Sequence, residues 1–278
     1  MPEDTYKTSD LEILIATMNR TSLDFLHTMF ARSGINDFKI LIINQTSENS
    51  LLHSELPNVR VINSFEKGLS KSRNLAIKNA KGSVCLNVDD DVVFIEGFSE
   101  IIIAAYNEFK HPIITFQTLT TEGKPYWKYP KKAKAHNSYV SQKTLSIEIS
   151  FNVAELLKKN LFFDERFGLG AQFEDAENFV FLTDAKKKGI MPFFYPKAVT
   201  IHPPYSSSDD VAADRLLYAK AAIKTYAYKN LSYLWVFKFV FFIYRKKYIP
   251  FSEIPRKIKI GFKSISDYKK TTPNEEYR

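Results

Sequence analysis

Cysteine is almost missing from this chain. Cys85 is the only one in 278 residues, so no intrachain disulfide can form and an oxidising compartment is not required. Its place inside the apolar stretch 84–88 predicts a buried strand residue. Long apolar runs are missing too: the most apolar stretch, residues 233–244, is broken by Lys238 and falls short of the roughly 20 residues that span a bilayer. Met1-Pro2-Glu3-Asp4 opens no basic region followed by an apolar one, so no cleaved leader is expected and the chain is read as cytoplasmic. Neither an internal repeat nor a low-complexity tract is present, which excludes solenoid and fibrous architectures.

What is present is the alternation of an α/β domain. With 45% hydrophobic residues the chain can build one sizeable core plus an appendage. Short apolar runs at residues 11–16, 38–43, 59–62, 84–88 and 113–119 predict strands, and the patterns at 24–33, 71–80 and 98–109 predict helices. Strand and helix in alternation imply a mostly parallel, doubly wound sheet with helices on both faces. The ligand crevice then lies beyond the carboxyl ends of the strands.

At one such end stand Asp89, Asp90 and Asp91, between apolar residues 84–88 and 92–95. Three adjacent carboxylates repel, and burying them is costly unless a cation compensates. Because strand side chains alternate faces, Asp89 and Asp91 are expected to point the same way and Asp90 the other. Two hard oxygen ligands on one face suit a divalent ion bridging to phosphate oxygens. A solvated acidic turn is the ordinary alternative. Upstream, Gly68-Leu69-Ser70-Lys71-Ser72-Arg73-Asn74 opens a helix running to Ala80, with Ser70 as its predicted cap and Gly82 as its predicted C-terminal glycine. On this reading Arg73 and Asn74 fall in the first turn, where free N–H groups and the helix dipole favour an anion such as a diphosphate.

Helix, tight turn, apolar strand and Asp-x-Asp, in that order, resemble the nucleotide-sugar-binding half of the family 2 glycosyltransferases, whose fold is called GT-A. The resemblance covers roughly residues 10–205. Thr17-Met18-Asn19-Arg20 is similar to the family's nucleotide-contacting turn. At the end of the second strand the family carries an acidic pair, whereas this chain has Asn44-Gln45-Thr46. The resemblance implies that Thr17, Asn19, Arg20, Asn44, Arg73, Asn74, Asp89 and Asp90 bind the donor. It also implies that Asp89 and Asp91 hold Mn²⁺ or Mg²⁺, with His202, from Val199-Thr200-Ile201-His202-Pro203-Pro204, completing the shell. Ser206 to Ser208 resemble the small polar residues that follow.

Phe167-Gly168-Leu169-Gly170 looks like the family's Phe-Gly-x-Gly segment leading to a Glu-Asp pair at a helix start, here Glu177-Asn178. Transfer with inversion needs a base for the acceptor hydroxyl. Asn178 cannot serve. Glu177 and, up to one turn earlier, Glu174 and Asp175 remain, with Glu177 and Asp175 as the two candidates. The other reading is that Glu174 and Asp175 only cap the helix. Residues 120–143 are polar and aromatic, with Tyr126, Trp127 and Tyr129 beside a basic cluster of Lys131, Lys132, Lys134 and His136. They read either as a mobile loop on the acceptor side or as a solvated hairpin.

The resulting division is a catalytic domain over 1–210, with a nucleotide-sugar half (1–119) and an acceptor half (120–210), and a basic helical tail over 211–278. Residues 220–270 hold 13 Lys or Arg against Glu253 and Asp267, a net of +11 in a chain of +8 overall. The basic character therefore belongs to the tail. Its aromatic, basic-flanked helix suits peripheral contact with an anionic inner membrane face through residues 230–270, or packs as an ordinary helix. The expected activity is metal-dependent transfer from a nucleotide-diphosphate sugar, a UDP-sugar first, to a saccharide or polyprenyl-linked acceptor in polysaccharide synthesis. Two alternatives stand beside it. A sugar nucleotidyltransferase would ordinarily carry a Gly-rich loop with a catalytic Arg or Lys near the N-terminus, which residues 17–22 lack. A non-catalytic membrane- or nucleic-acid-binding protein fits the charge, but the confinement of that charge to the tail and the ordered Asp-x-Asp, Glu and His favour catalysis, with no nucleic acid as a partner.

Overall fold

The computed structural model describes residues 5–204 and 211–272. Met1 to Asp4 and Ser206 to Ser208 lie outside the described residues. The chain divides into two compact units: residues 5–164 with 178–204, and residues 165–177 with 211–272.

In the first unit the strands are β1 (Leu11–Met18), β2 (Lys39–Gln45), β3 (Val59–Ser64), β4 (Val84–Asp89), β5 (Val93–Phe94), β6 (Ile113–Leu119), β7 (Lys134–Ala135), β8 (Ile149–Asn152) and β9 (Phe193–Ile201). The helices are α1 (Asp24–Met29), α2 (Leu69–Asn79), α3 (Phe98–Phe109), α4 (Ser138–Lys143), α5 (Val153–Lys158) and, from Asn178 on, α6 (Glu177–Lys187). The sheet runs β3-β2-β1-β4-β8-β6-β9-β5, with β7 also on β9. β3, β2, β1 and β4 are parallel. β8 then runs antiparallel to both β4 and β6, while β6 and β9 are parallel. The sheet is therefore α/β with helices on both faces, as expected, but mixed beyond β4.

Strand alternation sorts the core into two layers. Leu11, Ile13 and Ile15 of β1 join Ile40, Ile42, Leu86 and Val88 under α1 and α3. Leu14, Leu41, Ile43 and Cys85 face the other way with Ala76 and Ile77 of α2 and Phe181 of α6. Cys85 is fully buried, as its stretch predicted. Glu12, on the β1 face opposite Ile13, is buried and neutralised by Arg60 at 2.7 Å, and it accepts from the backbone N–H of Gly82 at 2.8 Å. That contact corrects the role of Gly82. Helix α2 ends at Asn79 with Ala80 in extended conformation, and a Cβ on Gly82 would sit 2.6 Å from Glu12 Cβ. The glycine permits a close approach to β1 instead of terminating the helix in the left-handed region.

The second unit holds α7 (Asp214–Tyr228), α8 (Ser232–Arg245) and α9 (Ile254–Thr271) around Leu217, Ala221, Val236, Val240, Ile243 and Ile265. Residues 165–177 belong to this unit, so a boundary at residue 210 does not separate the compact bodies.

Candidate active site

Parallel pairing brings the carboxyl ends of β1, β2 and β4 level: Ala16 pairs with Asp89, and Thr17 with Asn44. Beyond these ends the sequence-predicted donor residues interlock. Asp90 Oδ2 accepts from Thr17 Oγ1 at 2.5 Å and from Arg20 Nε at 2.6 Å. Asn44 is fully buried; its Oδ1 accepts from the Arg20 N–H at 3.1 Å, and its Nδ2 donates to Arg20 O at 3.0 Å and Asn63 Oδ1 at 2.9 Å. The turn between them places Asn19 at φ 55, a left-handed conformation that asparagine tolerates. The amide at position 44 is thus a clamp on the Asn19–Arg20 turn. A carboxylate there would have no N–H with which to bond both Arg20 O and Asn63 Oδ1.

The Asp run does not continue as a strand. β4 stops at Asp89 and the chain turns, so the alternation that was to pair Asp89 with Asp91 ends there. Each carboxylate takes a different partner. Asp89 Oδ1 accepts from Arg73 Nη2 at 3.1 Å and Asp89 Oδ2 from Ser146 Oγ at 3.2 Å. Asp91 Oδ2 lies 3.2 Å from His202 Nε2, whose ring packs edge-on against Tyr126. The hydrogen bond from His202 holds the Asp91 carboxyl below the usual carboxylate range. The same contact raises the imidazole above its ordinary value. Among the described residues no three His, Cys, Asp or Glu side chains converge as a ready metal cage. The exposed Asp91 and half-buried His202 supply two donors that fit a hard divalent ion, while Asp89 is engaged by the guanidinium.

Helix α2 begins at Leu69 with Gly68, not Ser70, as its cap. Arg73 and Asn74 therefore sit in its second turn, two residues further from the cap than expected. Arg73 is 1% exposed, lies over the ring of Phe163, and reaches Asn178 Oδ1 at 3.4 Å besides Asp89. Asn74 is built into the scaffold: its amide exchanges hydrogen bonds with the backbone of Phe163 at 2.9 and 2.8 Å. Ser146 was not among the predicted residues. Its contact with Asp89 follows from the antiparallel pairing of β8 with β4, which no local sequence signal announces.

Residues 120–143 are tied down from beneath. A turn at residues 120–124 returns the chain so that Tyr126 N–H bonds Thr118 O. Tyr129 donates its hydroxyl to Glu148 and accepts from the Thr118 N–H at 2.9 Å. Glu148 is completely buried, and burial pushes its carboxyl up to about 8. Burial, then the nearby Glu148 charge, raises the Tyr129 phenol. His136 leaves the basic cluster: it is buried against Thr115 and Ser141, and burial pushes its pKa down to about 3.

The candidate bases belong to the second unit. Gly168 and Gly170 take positive φ, 101 and 75, and fold residues 167–173 so that Phe167 and Phe173 meet at 5.2 Å. These rings pack on Tyr268 of α9, and Phe173 on Tyr218 of α7. Arg215 of α7 lies 3.6 Å from the Glu174 carboxylate. The helices beyond residue 210 therefore hold the segment that carries the candidate bases, a role the sequence did not reveal. Burial, and then the charge of Glu177, raise the Asp175 carboxyl. Asn178 follows Glu177 directly in the chain.

Against known proteins, residues 12–167, more than half of the chain, match the family described as Glycosyl transferase family 2. Among the solved structures similar to this chain are those of S. aureus TarS. TarS 1–349 in complex with UDP-GlcNAc is 14% identical over 96% of this chain and 82% of that one, with TM-score 0.58. TarS 1–349 in complex with UDP is 15% identical over 94% and 92%, with TM-score 0.51. The longer TarS is 14% identical over 93% and 53%, with TM-score 0.53. No curated protein matches the sequence. Carried by the family match and by an α/β scaffold that sets Thr17, Arg20, Arg73 and the Asp run at the carboxyl ends of its parallel strands, the conclusion is that this chain belongs to glycosyltransferase family 2.

Proposed function

We propose that the chain transfers a sugar from a nucleoside-diphosphate donor, a UDP-sugar, to a saccharide or lipid-linked saccharide acceptor, with inversion, in polysaccharide synthesis. The observation that carries the reading is the distribution of the Asp run: Asp89 on buried Arg73, Asp90 on Thr17 and Arg20, and Asp91 on His202. Thr17 and Arg20 orient Asp90 and present the Asn19–Arg20 turn to the nucleoside. Arg73, fixed by Asp89 and Asn178, offers a preformed cation to the diphosphate. Asp91 and His202 are the residues that would hold Mn²⁺ or Mg²⁺, which when bound neutralises the charge of the leaving diphosphate. UDP-bound relatives of the same fold support the choice of nucleotide.

For the acceptor, the Asp175–Glu177 pair takes the hydroxyl proton. Asp175 is the member whose basicity is raised, by burial and by its neighbour, in the direction a base working near neutrality needs. Turnover of a panel of nucleotide sugars, with and without Mn²⁺, tests the reading. Transfer or slow donor hydrolysis with one UDP-sugar, together with thermal stabilisation by UDP, is the expected result. No stabilisation by any nucleoside diphosphate would overturn it.

A further inference from the structure

Helix α8 is apolar on the wrong side. Its inward face, Ser232, Val236, Val240 and Ile243, is buried in the core of the second unit. The opposite face is as hydrophobic. Leu234, Phe237, Phe241 and Phe242, spaced at three and four residues and so on one face, are 65%, 49%, 56% and 45% exposed. Soluble surfaces rarely leave such a contiguous patch open unless something covers it. Lys238 and Arg245 share that face, both exposed, and the exposed Lys246 and Lys247 follow directly after the helix end. Between Asp214 and Glu253 there is no acidic residue. At the C-terminal end of α8, Arg245 and Lys247 line a shallow cleft with Tyr244 and Tyr248.

We infer that this face of α8 docks on an anionic lipid bilayer, with the helix lying in the plane of the interface. The phenyl rings enter the headgroup–acyl boundary, and the lysines and arginines reach lipid phosphates. Charge selects this occupant: a protein partner for an apolar face needs no unbroken run of cations beside it, whereas an anionic leaflet attracts one. No described helix is long and apolar enough to cross a membrane, so the contact is peripheral. This inference does not rest on the sugar donor.

The test is co-sedimentation of the full chain with vesicles of phosphatidylcholine alone and of phosphatidylcholine mixed with phosphatidylglycerol. Binding to the mixed vesicles, weakening as salt rises, is expected. Phe237→Ser/Phe241→Ser should abolish it, and Lys238→Gln/Arg245→Gln should cut partitioning by about fivefold per charge. Both variants should keep the wild-type far-UV spectrum and thermal midpoint, which separates lost docking from lost folding. Hydrolysis or transfer of a nucleotide sugar in vesicle-free solution should be unchanged, so failure of docking and failure of the transferase reading give different results. Equal binding to uncharged vesicles, binding to neither, or concentration-dependent self-association removed by Phe237→Ser/Phe241→Ser would overturn the inference.

Discussion

One carboxylate from each acidic cluster of this chain, Asp91 beyond β4 and Asp175 before α6, is shifted by its surroundings, and in opposite directions. At the end of β4 each aspartate faces a donor: Arg73 and Ser146 for Asp89, Thr17 and Arg20 for Asp90, His202 for Asp91. For Asp91 the hydrogen bond from His202 holds the carboxyl below the usual carboxylate range. At residues 174–177 the carboxylates are instead crowded, and Asp175 is raised by burial and by Glu177, with Lys220 and Arg215 as weaker opposing influences. Asp91 is favoured in its charged form. Asp175 is suited to picking up a proton. Similar residues thus acquire different chemistry from their surroundings alone.

Substitutions can break that contrast, beginning with the most damaging. Asp91→Asn should abolish turnover, a loss of several kcal/mol of transition-state stabilisation, while leaving the unfolding midpoint within a degree or so of wild type, since the side chain is exposed and its ion pair weak. Steady-state kinetics with a metal titration reads this directly. Retained activity in chelator would remove Asp91 from the site.

In the second cluster, loss of the true base should cut the rate about a hundredfold or more with donor affinity intact. Asp175→Asn is expected to show this. Glu177→Gln should act differently: removing a neighbouring negative charge lowers the Asp175 pKa, so the acid limb of the pH–rate profile should move to lower pH. If Glu177→Gln produces the hundredfold loss and Asp175→Asn does not, the roles are exchanged.

Arg73→Ala should weaken nucleoside-diphosphate binding by about 1.5–3 kcal/mol, the range for a charged hydrogen bond, measurable by calorimetry. A companion measurement of stability is needed, because the guanidinium is buried and Asp89 would lose its cation. Affinity unchanged in a folded variant would confine Arg73 to a structural role.

The mildest effect at neutral pH concerns Glu148. Its carboxyl is raised to about 8 in the folded chain, so the native state binds the proton more tightly than the unfolded state does. Stability from this group is complete below the unfolded carboxylate range and is lost as pH rises through about 8. Denaturant unfolding should therefore show a loss of about 1–2 kcal/mol between pH 7 and 9, and Glu148→Gln should flatten that slope. A slope unaltered by the substitution would mean that Glu148 is ionised at neutral pH.

Much of the first unit was legible without coordinates. The helix at residues 98–109 and the strand at 113–119 fall where periodicity put them, because an amphipathic helix and a buried strand each carry their signal within a dozen residues. The alternation of strands and helices also announced the α/β class, and the order of the Thr17-to-Arg20 turn, the Arg73 helix and the Asp run announced the family. These are local patterns, written in consecutive residues.

What only tertiary structure decided involves partners distant in sequence. That the run turns after Asp89, sending three aspartates to three different partners, depends on where β4 stops beside β1. Ser146 reaches Asp89 because β8 pairs antiparallel with β4. His136 is neutral and Glu148 protonated because of what buries them, since desolvation is a property of the packed interior. Residues 165–177 join the C-terminal helices through Phe167, Phe173, Tyr218 and Tyr268, contacts between positions tens of residues apart. Sequence alone determined the elements and the inventory of chemical groups; packing decided which groups meet, and so which titratable groups are shifted and in which direction.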